Sequence, residues 1–215
     1  MGVEMAFLHK PPNNREQLMR LGTLFVVLLW GLTAWTQTTT SRNWVDTEGS
    51  YTDAAGNALT VTNSLPKGGG TYTDTSGNTY SYVIFWHKVT NTSEVPLKLE
   101  LGFPAEPYPI FSSLDSYIRL FLPPDRMTPE NIGQQDYGLD LSRFLDAAFE
   151  APSRLEKTIA PHGEFLFYVP ILIRQARGTA RAALVMDGDR VIYQIKIHPQ
   201  DADIPCGKLL FKECY

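Results

Sequence analysis

The chain has 215 residues, 43% of them apolar, with 19 Lys+Arg against 23 Asp+Glu and a formal charge of −4. That length suits one domain with a full-sized core. The acidic balance, with no long basic run, excludes nucleic acid and an anionic membrane surface as electrostatic partners.

Residues 1–36 read as an export segment. Met19-Arg20 precedes the uncharged run Leu21 to Leu32, and Thr33-Ala34-Trp35-Thr36-Gln37 supplies a small-residue exit, the three parts of a secretory signal peptide. A helix from Leu21 to Trp35 rises only about 22 Å, against about 30 Å of bilayer hydrocarbon. Cleavage is expected just before Gln37, with translation starting either at Met1 or at Met19. The alternative is an uncleaved signal anchor held by Lys10, Arg15 and Arg20 on the cytoplasmic side. Either way the remainder is expected to be exported, to the periplasm, cell surface or exterior, with membrane contact only if the apolar run is retained.

Residues 37–215 read as one domain. Tyr51-Thr-Asp-Ala-Ala-Gly-Asn57 recurs as Tyr72-Thr-Asp-Thr-Ser-Gly-Asn78, and each copy places Asp and Gly where a tight hairpin turn needs them. Lys67-Gly68-Gly69-Gly70 between them reads as a flexible loop. It lacks the Gly-Lys-Ser/Thr ending of a phosphate loop. From Thr79 to Thr90 both parities are apolar, which marks a central strand. Asn91 to Glu94 is then expected to turn the chain into a hairpin partner carrying Leu97, Leu99 and Leu101. Tyr117 to Leu122 forms a short strand.

Residues 126–153 depart from this pattern. Asp140 is placed to cap a helix whose apolar positions Leu141, Phe144, Leu145, Ala148 and Phe149 share one face, and Pro152 stops it. Strands resume at Leu155–Ile159, Phe165–Ile173, Thr179–Met186 and Arg190–His198. Roughly nine or ten short strands with one helical insertion predict an all-β, two-sheet sandwich. The turn Thr158-Ile-Ala-Pro-His-Gly-Glu164 and the stretch Val89-Thr-Asn-Thr-Ser-Glu-Val-Pro-Leu97 resemble elements of immunoglobulin-like and fibronectin-like modules in exported bacterial proteins. The resemblance implies an immunoglobulin-like sandwich and carries no catalytic residue with it.

Cys206 and Cys214 are the only cysteines. Their spacing excludes a CxxC redox pair, and in an oxidising compartment one disulfide is expected. With only His198 nearby, no zinc pattern is completed. His87, on the central strand, reads as a structural histidine and His162 as a solvated turn residue. Asp53/Asn57, Asp74/Asn78 and Asp187/Asp189 offer oxygens to calcium, but turn formation accounts for them better. Asp136, Asp140, Asp146 and Glu150 surround the helix and serve capping and solubility. Neither a catalytic set, a metal site nor a cofactor motif emerges.

The surplus lies in aromatics. Trp44, Tyr51, Tyr72 and Trp86 are candidate ligand-binding rings, on which a glycan or peptide would stack. Core filling is the competing account. The sequence therefore predicts an exported, non-catalytic binding or envelope accessory module whose partner is a protein or a glycan. The alternatives are an extracytoplasmic polysaccharide hydrolase using acids from 126–164, and a signal-anchored protein meeting a membrane partner.

Overall fold

Local chemistry sets the hairpins. The computed structural model describes residues 44–113, 115–176 and 178–212, so the expected export segment and Cys214 lie outside the described residues. Strands β1 (Val45–Thr52) and β2 (Ala58–Ser64) meet at the first Asp-Gly turn, and β3 (Lys67–Thr73) and β4 (Thr79–Asn91) meet at the second. Asp53 Oδ1 accepts the backbone N–H groups of Ala55 and Asn57 at 2.9 and 2.8 Å, and Oδ2 accepts Asn57 Nδ2 at 2.9 Å. Asp74 repeats the arrangement with Ser76 and Asn78. Gly56 and Gly77 close the turns at φ +87° and +82°, which only glycine adopts without steric cost.

The remaining strands are β5 (Leu97–Phe103), β6 (Tyr117–Leu120), β7 (Ser153–Ile159), β8 (Glu164–Arg174), β9 (Ala180–Asp187), β10 (Arg190–Ile197) and β11 (Gln200–Phe211). Two antiparallel sheets result. The six-stranded sheet runs β1-β2-β4-β8-β6, with β3 also on β4, and the five-stranded sheet runs β7-β5-β11-β10-β9. Their inner faces interleave Val61, Phe85, Val89, Phe167 and Val169 with Leu97, Leu99, Val191, Tyr193 and Ile195, all buried.

A third layer explains the two-sided apolarity of β4 and β8. The helix α1 (Leu141–Ala148) follows two 3-10 turns, Pro129–Gly133 and Gln135–Gly138, and Asp140 caps it by accepting Arg143 N–H. This insertion lays Met127, Tyr137, Leu141, Leu145 and Phe149 over Tyr80, Ile84, Trp86, Tyr168 and Leu172 on the outer face of the six-stranded sheet.

Three expectations are corrected. Lys67–Gly70 is strand, not loop: it begins β3 and pairs with β4 through an irregular register between Gly68 and Thr71, with the Tyr82 ring lying against Gly70. The turn after β4 is not a hairpin, because β4 and β5 belong to different sheets. Asn91 makes that crossing: its Nδ2 donates to Val95, Ile159 and Ala160 carbonyls at 2.8, 3.3 and 3.0 Å, and its Oδ1 accepts Ser93 N–H and Oγ–H. One side chain thereby ties the β4–β5 crossing to the β7–β8 crossing. Finally, Cys206 carries a free, buried thiol. Residues 206–211 run extended in β11 rather than folding back into a small loop, and burial pushes the Cys206 thiol up to about 12.

A polar bridge crosses the core. Asn63 on β2 accepts Leu184 N–H from β9 at 2.8 Å, which fixes Oδ1 as the atom also facing His87 Nδ1 at 2.8 Å. His87 therefore carries its proton on Nδ1, and Nε2 accepts the Tyr193 hydroxyl at 3.3 Å. Asn63 Nδ2 donates to Thr47 Oγ1 and Leu184 O. Every member is satisfied with the imidazole neutral, and burial lowers His87 to about 3.

An unfolded His ionises near 6.5, so the unfolded chain takes up this proton first as the pH falls. The stability present above pH 6.5 is lost progressively between pH 6.5 and 3. In urea titrations, H87Q should lose less stability than the parent protein between pH 7 and 4.5, the difference being about 2–3 kcal/mol. Identical pH profiles would contradict a buried neutral His87.

Candidate functional site

The aromatic candidates do not form one site. Tyr72 and Trp86 are buried, 7% and 3% exposed, inside the layer beneath the insertion. Trp44 and Trp86 meet the Tyr137 ring edge-on at 6.2 and 6.4 Å, while Tyr72 packs on Phe149. Tyr51, half-buried on β1, packs instead against the core between the sheets. The rings of Tyr72 and Trp86 thus have no open face for a sugar. What stacks on this sheet is the chain's own insertion.

Polar groups fasten that insertion. Tyr82 and Tyr72 hydroxyls donate to Asp136 at 2.7 Å and Asp146 at 3.3 Å, and Tyr168 donates to Tyr137 O at 2.9 Å. Lys67 Nζ donates to Ile132 O and Gln134 O, both at 2.6 Å, while lying 4.2 and 4.4 Å from the Trp44 and Tyr137 rings. Burial lowers the Lys67 pKa, opposed by the Asp136 charge. Asp136 and Tyr137 sit at φ +49° and +55°, a left-handed pair that turns the Tyr137 ring into the core.

Four acids of the 126–164 stretch on which the hydrolase alternative draws have partners of their own. Asp136 and Asp146 accept tyrosine hydroxyls, Asp140 caps α1 and Glu150 pairs with Arg119. The turn carboxylates Asp53 and Asp74 are occupied by their own loops. Asn57 and its neighbouring backbone donors hold Asp53 below the usual carboxylate range. Among the described residues, no group of three His, Cys, Asp or Glu side chains gathers as a metal site. His87 is locked in the core bridge, and exposed His162 pairs with Glu94 at 3.0 Å.

The open site lies on the other sheet, whose outer face no further layer covers among the described residues. A groove of about 1020 Å³ runs along β5, β7 and β11, lined by Gly102, Pro104, Arg154, Glu156, Pro205 and Gly207, with Arg190 and Lys208 on its walls. Its origin is a parting of strands. The β5–β11 ladder stops at Gly207↔Leu101, and β11 bulges at Cys206, where Val191 faces Gly207 but Ile192 faces Pro205. Proline has no N–H to continue a ladder. Beyond Leu101, β5 therefore keeps β7 on one side, with Arg154 opposite Gly102, and has no β11 neighbour on the other.

Charge in the groove is mixed and partly self-neutralised. Glu100 bonds Lys98 and lies 3.3 Å from Lys208. The Lys98 hydrogen bond, followed by the contribution of Lys208, holds the Glu100 carboxyl below its ordinary value. A glycosidase acid needs the opposite shift. The signal for this site was present in the sequence as Pro104 and Pro205-Cys206-Gly207, interruptions in otherwise regular strands.

Gly207 is the pinch point, since a Cβ there would lie 1.9 Å from the Glu100 carbonyl oxygen. Gly207→Ala must push β5 and β11 apart. It should lower stability by at least about 2 kcal/mol in urea unfolding, and unchanged stability would contradict the close strand approach.

The chain matches no family model, no curated protein and no solved structure.

Proposed function

We propose that the chain is an exported, non-catalytic β-sandwich of immunoglobulin-like kind, a binding or envelope accessory module that holds an extended segment of another protein in the groove between β5 and β11. The observation that carries this reading is the parting of those strands. It leaves a backbone edge open on the β11 side of Gly102, where the lack of a side chain permits close main-chain approach, and flanks it with Arg154, Lys208, Glu156 and Glu106. Main-chain pairing to an open edge gives affinity, and alternating charges give specificity. A protein segment is favoured over a glycan because the groove walls are charged side chains and backbone, while the large rings are occupied by the insertion.

The hydrolase alternative finds no support in the lowered Glu100 carboxyl. The export half of the proposal rests on Met19 to Gln37.

The test uses the full chain, expressed with its own N-terminal segment and recovered from the extracytoplasmic fraction. NMR titration with a panel of synthetic octapeptides of mixed charge should shift Gly102, Phe103 and Gly207 amides, and Arg154→Glu should weaken the best peptide by about tenfold, the scale of one lost ion pair in a partly desolvated site. Shifts at those amides caused only by oligosaccharides, or peptide shifts confined to other surfaces, would contradict the reading. So would recovery of the chain only from the cytosol.

A further inference from the structure

β7 ends the five-stranded sheet, and the ladder on its inner side fixes which backbone groups its outer edge presents. Lys212 N–H donates to Pro96 O at 2.8 Å, and these two residues continue the β5–β11 register one step beyond Phe211↔Leu97. Directly opposed antiparallel residues alternate between pairs that exchange both bonds and pairs that exchange none, so Lys98, Glu100 and Gly102 point their N–H and C=O groups at the β11 side. Leu97, Leu99 and Leu101 therefore turn theirs to Ile159, Lys157 and Leu155 of β7. The far side of β7 carries the N–H and C=O groups of Arg154, Glu156 and Thr158, and no described residue outside the ladder bonds them. Applied to β9 from its tight hairpin with β10, the same alternation puts the Leu184 amide on the free edge, where Asn63 takes it.

The side chains select one register for a second strand. An antiparallel copy of β7 can bond this edge only where even-numbered residues face even-numbered ones. A pairing centred on Arg154, on Glu156 or on Lys157 sets that charge against itself. Centred on Leu155, Arg154 of each copy stands opposite the partner's Glu156, with Cα atoms about 5.5 Å apart and both bonds exchanged. Leu155, half-buried against the core, then meets its own mate on the axis. Arg154 and Glu156 are exposed, and neither makes an ion pair or side-chain hydrogen bond with a described residue. Charges on an edge ordinarily keep a second strand away. Here they repel in the other registers and attract in this one.

We propose that the β7 edge is an interface between two copies of this chain, paired antiparallel about an axis at Leu155 and joining their five-stranded sheets into one. The proposal is independent of the groove reading, although Arg154 and Glu156 also line the groove. Association is measured without peptide, and its failure leaves the peptide shifts at Gly102 untouched. A lone strand pair falls at the small end of interfaces, under about 1,200 Å², so a dissociation constant of about 0.1 mM is expected.

The test is sedimentation equilibrium of the full chain in reductant, which removes any link through Cys214, with hydrogen exchange read by NMR at low and high concentration. The parent should dimerise, and Arg154→Glu and Glu156→Arg should each weaken the dimer at least about tenfold, since like-charged pairs then replace both ion pairs. Both positions are exposed on an edge strand, so the variants spare the fold. An equimolar mixture of the two single variants should associate as tightly as the parent, because each supplies the charges the other lacks. The double variant Arg154→Glu/Glu156→Arg should dimerise likewise. On association the Arg154 and Glu156 amides should gain protection, while those of Leu155 and Lys157, already bonded to β5, should not change. The proposal is overturned by a monomer up to about 1 mM, by a dimer that ignores both single substitutions, by a mixture that stays monomeric, or by protection gained only at other amides.

Discussion

The two sheets are held in register by one amide. Asn63 offers Leu184 an acceptor and a donor, as a neighbouring strand would, so the edge strand β9 is bonded across the sandwich to β2 without a seventh strand in that sheet. The same oxygen orients His87, and His87 in turn accepts Tyr193 from the facing sheet. A buried polar group left without a partner costs about 1–3 kcal/mol, so this chain of bonds tolerates one arrangement of the two sheets and penalises slippage. The apolar side chains around it, Phe85, Phe103 and Phe167 among them, supply most of the burial and specify the alignment far less.

Given that alignment, the other faces have different fates. Along β4 and β8 the six-stranded sheet is apolar outside as well as inside, and the insertion covers it there, pinned by Tyr137 and by Lys67 between two rings. The five-stranded sheet shows alternating Lys98, Glu100 and Arg154 to solvent, and the bulge at Cys206 opens it between β5 and β11. Aromatic surface is thus consumed in holding the fold together, and the polar outer face is where a partner finds access. The histidine and the cysteine that would attract a catalytic reading are both sealed, the first neutral and the second a protonated thiol.

What could be read in the sequence was what neighbours in the chain decide. The twin Asp-Gly turns, the Asp140 cap and the double parity of β4 depend on residues within a few positions, and each stands as expected. The β4–β5 connection did not, because the partners that make Asn91 a crossing, Ile159 and Ala160, lie far along the chain. Periodicity identified the face of β4 bearing Tyr80, Tyr82, Ile84 and Trp86 but could not say that residues 121–149 cover it. Arg119 lies within the short strand expected from Tyr117 to Leu122. Only the approach of Ala105 and Phe149 turns it into a buried cation. The loop expected between Cys206 and Cys214 gave way to a strand because Leu209 and Phe211 alternate into the ladder with β5.

The most direct measurement is native-state hydrogen exchange of the Leu184 amide. If Asn63 closes the sandwich, that proton, though on an edge strand, exchanges only through global unfolding and shows the same opening free energy as the Phe85 and Val169 amides of the central strands. Exchange through a smaller, local opening, at a free energy well below theirs, would contradict the claim that this amide holds the two sheets together.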